Sequence, residues 1–273
     1  MKEIRIAIIG CGMISHRHMT VIENLKNLGQ NLTVVAAAEI DKDKLEAFGK
    51  KYGLPEDCLY QDFREMLKRD DIDEVEVCVH NNLHTSVATA VMAAGFDCYS
   101  EKPMAASYAD AKILYDAQKK YGKKLAIQIS SIYNPQTRIA KRMIVGGGEL
   151  QKPRLVYFGI DSHDQLFETK IDCAINDITG QQKLLIHPEM AMYNDNQLQW
   201  YSYLRGELTD ETRIDSPYIA MQTAFLSEGV VMSGELGRSV TAEEIRANAK
   251  SIALREQETP FGTIKYDFDD YTA

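Results

Sequence analysis

Gly10, Cys11, Gly12, Met13, Ile14 and Ser15 come straight after the apolar run Ile4–Ile9 and open a stretch of helical character. Their spacing is that of G-x-G-x-x-G/A, with serine in the last place. In such a turn Gly10 permits the sharp bend, and Gly12 lets the backbone approach a pyrophosphate lying on the helix N-terminus. Ser15 is small enough to keep the helix near the strand. A strand-to-helix turn with glycines for packing alone would read the same way, so context decides. A dinucleotide site asks for an acidic residue at the end of the second strand, about 20 residues on. Glu39 stands there, 27 positions after Gly12. Its carboxylate can accept hydrogen bonds from the 2′- and 3′-hydroxyls of an adenosine ribose, and it would repel a 2′-phosphate. No arginine follows it, so NAD is favoured over NADP. The alternative for Glu39 is a solvated strand-end charge.

Two further groups lie at strand ends, where open α/β sheets bind ligands. Glu101-Lys102-Pro103 follows the short strand Asp97–Ser100, and Lys102 reads equally as a solubilising charge or a functional ammonium. Val77–His84 carries two histidines and two asparagines after an apolar strand, suggesting cofactor or substrate contacts. A loop histidine can also serve as a cap or a satisfied hydrogen-bonder. A metal site built from His16, His18, His80 and His84 is rejected, for there is no H-E-x-x-H, cysteine pairing or carboxylate cluster. His16 and His18 would also point about 200° apart on one helix. No G-x-S-x-G serine-hydrolase elbow occurs. Phe225–Val231 and Trp200-Tyr201 read as core.

The elements that must position these residues alternate through the first 130. Strands are expected at Ile4–Ile9, Leu32–Ala38, Val75–Val79, Asp97–Ser100 and Leu125–Ile129. Helices are expected at Ser15–Leu28, Asp41–Lys51, Asp62–Lys68, Thr85–Ala94 and from Ser107, with a capping box to Asp110, as far as Gly122. This makes an α/β fold, a doubly wound parallel sheet. Beyond it come a helix at Pro135–Val145, a strand at Arg154–Ile160 and a stretch of poor periodicity from Asp161 to Asn194. Next are helices at Gln197–Leu204 and Ser216–Leu236, the latter capped by Ser216 with Pro217 at N1. Thr241 and Glu244 form a capping box, and Thr263–Phe268 alternates as an edge strand. The expected domains are 1–125, cofactor-binding, and 126–273, a shortened α+β substrate or oligomerisation domain.

Composition narrows the classes. The chain has 273 residues, 45% hydrophobic and 26% charged, as folded domains do. Forty acidic against 31 basic residues give a net charge of −9, and no basic run exceeds a pair, so no nucleic acid partner is expected. The uncharged stretch Asn81 to Phe96 is too short and polar to cross a bilayer, and the N-terminus lacks signal-peptide character. Five cysteines without C-x-x-C spacing read as free thiols, which makes the cytoplasm the expected location.

GCGMISHRH, AEIDKDKLEAF, VCVHNNLHTSVA and AAGFDCYSEKPMA, in this order and spacing, resemble the Gfo/Idh/MocA family of NAD(P)-dependent sugar and polyol oxidoreductases. SIYNPQTRIAKRMIVGGGEL resembles the family's helix after the last dinucleotide-domain strand. YIAMQTAFLSEGVVMSGELGRSVTAEEI resembles its C-terminal helix, which packs back on the first domain. The resemblance covers about residues 3–160 and 195–250, and its C-terminal part leans towards members that oxidise glycosides at a ring hydroxyl.

The resemblance implies a Rossmann domain with Gly10, Gly12, Met13 and Ile14 on the pyrophosphate and Glu39 on the adenosine ribose. Val79, His80, Asn81 and His84 would line the nicotinamide side, His80 replacing the family's usual proline. Glu101 and Lys102 would sit beside the nicotinamide. In the family this lysine binds the reacting hydroxyl and helps remove its proton, and an ammonium stripped of water gives up its proton more readily. A sugar or polyol substrate and a homo-oligomer paired through the second domain's sheet are also implied. The chain departs from the family where an aspartate and, four residues on, a catalytic histidine share a helix. Asp172 is the nearest fit, and Asn176 stands in the histidine's place. His163 and His187 are alternative bases without support from spacing. The interval Asp177–Asn194 allows only one or two strands of the family's large sheet. Lys102, helped by Asp172, is thus the expected catalytic pair. A catalytically silent NAD-binding subunit or sensor, and an NAD-retaining glycosidase, are the alternatives.

Overall fold

The computed structural model describes residues 1–129, 132 and 189–272, with side chains from residue 196 in the second block, and the backbone of three strands between. Six parallel strands form one sheet: β1 (Ile4–Ile9), β2 (Leu32–Ala38), β3 (Leu59–Tyr60), β4 (Glu74–Val77), β5 (Asp97–Ser100) and β6 (Leu125–Ile127). Their order is β3-β2-β1-β4-β5-β6, so the chain reverses its direction of travel across the sheet between β1 and β4. A crevice must open there above the strand ends, since the helices following β1 and β4 lie on opposite faces. β1 and β4 are buried along nearly their whole length, β1 as its apolar run requires and β4 with Glu74 and Glu76 carried inside.

Helices α1 (Met13–Asn27), α2 (Lys42–Tyr52), α3 (Phe63–Met66), α4 (His84–Ala93) and α5 (Tyr108–Tyr121) connect the strands. Asp41 and Asp62 cap α2 and α3, accepting N–H groups of the first turn. α1 turns Ser15, His18, Val21, Ile22 and Leu25 inward, a three-to-four-residue spacing in which the histidine takes an apolar position. Every strand and helix expected in residues 1–128 is present with ends shifted by a few residues. The two-residue β3 was not foreseen, being too short for periodicity.

The expected capping box at Ser107 is half made. Ser107 accepts the Asp110 N–H, but the Asp110 carboxylate turns away to accept Ser251 Oγ at 2.6 Å and the N–H groups of Ile252 and Ala253. The chain thus returns to the first domain. Helices α6 (Glu189–Leu204), α7 (Ser216–Leu236) and α8 (Ala242–Asn248) precede a hairpin of β10 (Glu256–Thr259) and β11 (Gly262–Lys265). α7 is capped by Asp215, not by Ser216 as its sequence suggests. Ser216 Oγ instead accepts the Ile127 N–H at 2.9 Å, joining the helix start to β6. The Thr241–Glu244 box forms as expected.

Two compact units result, one of Met1–Gln128 with Trp200–Ala273, the other Ile129–Gln199. The last 74 residues pack with the first sheet, in line with a C-terminal segment that returns to the first domain. The second unit contains an antiparallel sheet of β7 (Pro153–Asp161), β8 (Leu166–Cys173) and β9 (Leu184–Leu185), in that order. β7 is the strand expected at Arg154–Ile160. β8 falls in the stretch that resisted assignment, although Phe167, Thr169, Ile171 and Cys173 alternate with Glu168, Lys170 and Asp172. Asp172 pairs with Leu155 in this ladder, so it stands on a strand and not on the helix that the resemblance implies. Asn176, His163, His187 and the whole of the expected helix at Pro135–Val145 lie outside the described residues.

Candidate functional site

Gly10 closes β1 with φ +96°, and its N–H donates to the Ala38 carbonyl at 2.8 Å. A Cβ here would stand 2.6 Å from the Cys78 carbonyl oxygen, so the end of β4 requires a glycine. Gly12 has a different reason. It is the N-cap of α1 in extended conformation, no side chain caps the helix, and a Cβ would find no neighbour within 4 Å. The first turn of α1 therefore meets open space with its N–H groups and its positive dipole end, the arrangement that accepts an anion. Ser15 Oγ donates to the Gly12 carbonyl at 2.6 Å and holds the turn from inside.

Glu39 ends β2 with both carboxylate oxygens fixed: Oε2 accepts the Cys11 N–H at 3.0 Å and Oε1 the Asp41 N–H at 3.1 Å. Burial, with Glu39 and Cys78 adding to it, pushes the Cys11 thiol far up, which leaves it unreactive. A cleft of about 600 Å³ runs over the sheet at this point, and Gly10, Gly12, Met13, Ile14, Glu39, Val79, His80 and Asn81 all line it. Its breadth and its open glycine floor fit a dinucleotide lying across the switch point.

Three residues expected on the cofactor do not line this cleft. His84 is fully buried, with Nδ1 against the Pro103 carbonyl at 2.6 Å and Nε2 against the Val79 carbonyl at 3.1 Å. It ties the loop after β4 to the loop after β5. Glu101 is also buried, and its carboxylate faces inward: Oε1 meets His18 Nε2 at 2.9 Å and Oε2 accepts the Lys102 N–H at 3.0 Å. Lys102 itself is exposed, and its ammonium makes no hydrogen bond or ion pair among the described residues. The Lys102–Pro103 peptide is cis.

Beneath Lys102 lies a buried polar cluster that sequence reasoning missed. His18 bridges Glu101 and Glu76, the latter 2.6 Å from its Nδ1. Tyr201, on α6, donates to Glu76 Oε1 at 2.9 Å, and Trp200 Nε1 donates to Glu74 at 3.3 Å. Burial alone would lower the pKa of His18, but Cys78, Glu76 and Glu101 outweigh it and hold the imidazole protonated well above its usual range. Burial, with Glu76 close by, pushes Glu74 well up from the usual carboxylate range. One cation between two carboxylates makes a satisfied buried triad, which fixes the turn that carries Lys102. The sequence does hold a signal for it. His18 occupies an apolar position of α1, and Glu74 and Glu76 interrupt a strand covered on both faces.

A parallel sheet of this strand order, with a glycine turn and an acidic strand end meeting at its switch point, defines a dinucleotide-binding Rossmann domain. The Gfo/Idh/MocA family model, described as "Oxidoreductase family, NAD-binding Rossmann fold", matches residues 4–129 of this chain. Among curated relatives, the inositol 2-dehydrogenase of Salmonella typhimurium is 28% identical over 155 residues, 56% of this chain and 45% of the relative. The D-apiose dehydrogenase of Paraburkholderia graminis is 26% identical over 147 residues, 54% of this chain and 38% of the relative. The chain thus spans less than half the length of either. A solved oxidoreductase from Agrobacterium radiobacter, in complex with NAD+, L-tartaric acid and magnesium, superposes with a TM-score of 0.67. It covers 89% of this chain and 100% of its own at 13% identity, a likeness of fold alone. No helix among the described residues is long and apolar enough to cross a membrane.

Proposed function

We propose that this chain is an NAD-dependent oxidoreductase acting on a secondary hydroxyl, or the corresponding ketone, of a sugar, polyol or glycoside. The observation that carries the reading is the convergence of the Gly10–Ile14 turn, Glu39 and the Val79–Asn81 loop on one cleft, with Lys102 held at the end of the next strand. The first-turn N–H groups of α1 would bind the pyrophosphate and Glu39 the adenosine ribose. When bound, NAD supplies a carbon that accepts or returns hydride. Lys102 would bind the substrate hydroxyl and take its proton, while Glu101 and His18 position the lysine backbone from below. Relatives named for inositol and D-apiose support a polyol or sugar substrate.

Asp172 remains a proposed helper only, and its place on a strand favours the second reading, a silent NAD-binding subunit or sensor. The second unit would then serve oligomerisation; in the active reading another copy would complete the substrate contacts. The buried free thiols Cys11, Cys78 and Cys98 support a reducing, cytoplasmic setting. Calorimetric titration with NAD, followed by NADH formation over a panel of sugars and polyols, tests the proposal. Lys102→Ala should cut turnover by about 100-fold or more while NAD affinity stays as it was. NAD binding without turnover on any substrate would select the silent reading, and sugar release from glycosides without net NADH would select the glycosidase.

A further inference from the structure

The cleft does not end at Glu39. Past it, on the side away from Lys102, the lining continues with Ile40, Gln61 and Phe63 and then with three residues from the far end of the chain, Gln257, Ile264 and Tyr266. The last three belong to the C-terminal hairpin and to the residue just after it. Gln257 pairs with Ile264 across the ladder, and Tyr266 lies two residues further along the same face. Burial alternates here as on a strand with one covered side: Ile264 is 1% and Tyr266 5% exposed, while Thr263, Lys265 and Asp267 are in water.

The hairpin is held firmly. Its entry strap is tied to Asp110 through Ser251, Ile252 and Ala253, and Ser86 Oγ donates to the Leu254 carbonyl. Its exit is held by Arg255, whose guanidinium lies 3.7 Å above the Phe268 ring and whose Nη1 donates to the Phe268 carbonyl. Tyr266 lies nearly parallel to Phe63, with ring centroids 6.4 Å apart at 10°. Its hydroxyl donates to Gln257 Oε1 at 2.6 Å. That bond uses the amide's acceptor and orients the two N–H donors of Gln257. Flat apolar walls with one oriented amide suit a heteroaromatic ring, which has apolar faces and acceptors on its edge.

We propose that the hairpin Glu256–Lys265 with Tyr266 is the outer wall of the base subsite: Gln257, oriented by Tyr266, donates to the edge of the adenine of NAD, and the buried Ile264 backs the wall and fixes its position. With the pyrophosphate on α1 and the ribose on Glu39, the base falls beyond Glu39, where these residues stand. The inference rests on the reading of this cleft as the NAD site.

The test is calorimetric titration of the 273-residue chain with NAD, with ADP-ribose, and with the NAD analogue in which hypoxanthine replaces adenine. Hypoxanthine exchanges the amine at position 6 for a carbonyl and places a proton on N1, so it presents a different edge to the same wall. Gln257→Ala should weaken NAD and ADP-ribose by about tenfold, the effect of one hydrogen bond lost, and should shrink any preference for adenine over hypoxanthine. Ile264→Ala should weaken all three alike. Because Ile264 is buried, circular dichroism must show the variant folded; the half-buried Gln257 keeps the test valid if Ile264→Ala does not fold. Unchanged affinities in folded variants overturn the role of the hairpin while the NAD reading stands. Tighter binding in the variants also overturns it, for the hairpin would then compete with the base. Failure of the unaltered chain to bind either NAD or ADP-ribose overturns the NAD reading together with it.

Discussion

Replacing Gly10 and Gly12 one at a time by alanine separates the glycine that folds the protein from the one that serves the ligand. At Gly10 the backbone has φ +96°, where an L-residue costs about 1–3 kcal/mol. The new methyl would also stand 2.6 Å from the Cys78 carbonyl oxygen and 2.8 Å from its carbon. Those atoms cannot yield cheaply, because Cys78 N–H donates to the Ile9 carbonyl at 2.8 Å and locks β4 to β1. Gly10→Ala should therefore lose about 3 kcal/mol or more, which in a domain of roughly 200 residues lowers Tm by about 6–12 °C. At Gly12, φ is −80° and no atom lies within 4 Å, so Gly12→Ala should change stability by no more than about 0.5 kcal/mol. Its methyl would instead fill the space through which a pyrophosphate reaches the α1 N–H groups. Losing one charge-assisted hydrogen bond, about 1.5–3 kcal/mol, weakens NAD by about 10- to 150-fold. Thermal melts by circular dichroism and calorimetric NAD titrations read the two effects separately. A Gly12→Ala variant that binds NAD as tightly as the parent, or a Gly10→Ala variant that melts with it, would refute the reasoning.

Three other outcomes are expected. NAD should bind at least about tenfold more tightly than NADP, because Glu39 would meet a 2′-phosphate with like charge, and Glu39→Ser with Ile40→Arg should move the preference towards NADP; equal calorimetric affinities for the parent would contradict this. His18 holds its proton more tightly folded than unfolded, so its contribution to stability is complete below its unfolded value of 6.5 and is lost as pH rises through the raised folded value. Urea unfolding from pH 7 to 9 should show falling stability with a smaller slope in His18→Gln; Glu74, shifted in the same sense from 4.5 upward, stays in both proteins, and identical slopes would exclude His18 as the source. Asp110→Ala strips the acceptor from Ser251, Ile252 and Ala253 and should cost about 3 kcal/mol in urea melts, with Asp110→Asn costing less; a loss below about 1 kcal/mol would mean that the strap is held elsewhere.

What the sequence determined by itself is what local chemistry dictates. An apolar run buried on both faces, a glycine turn and a helix follow one another within a few residues, so β1, Gly10–Ile14 and α1 were legible, as were Glu39 and the alternation that builds the sheet. Caps that use neighbours, such as Asp41 and Thr241, obey the same rule. Tertiary structure decided whatever depends on partners distant in sequence. Glu101 meets His18, 83 residues away; His84 clamps two loops; Ser216 abandons its cap to bind Ile127, and Asp110 abandons its box to hold residues 251–253. In each case the side chain had a plausible local use, and burial gave a remote partner the stronger claim, because a polar group withdrawn from water must be satisfied by whatever the fold brings beside it. The hairpin wall of the cleft is the extreme case. Gln257, Ile264 and Tyr266 carry no motif, and only the path of the chain back across α4 and α5 sets them beside Glu39.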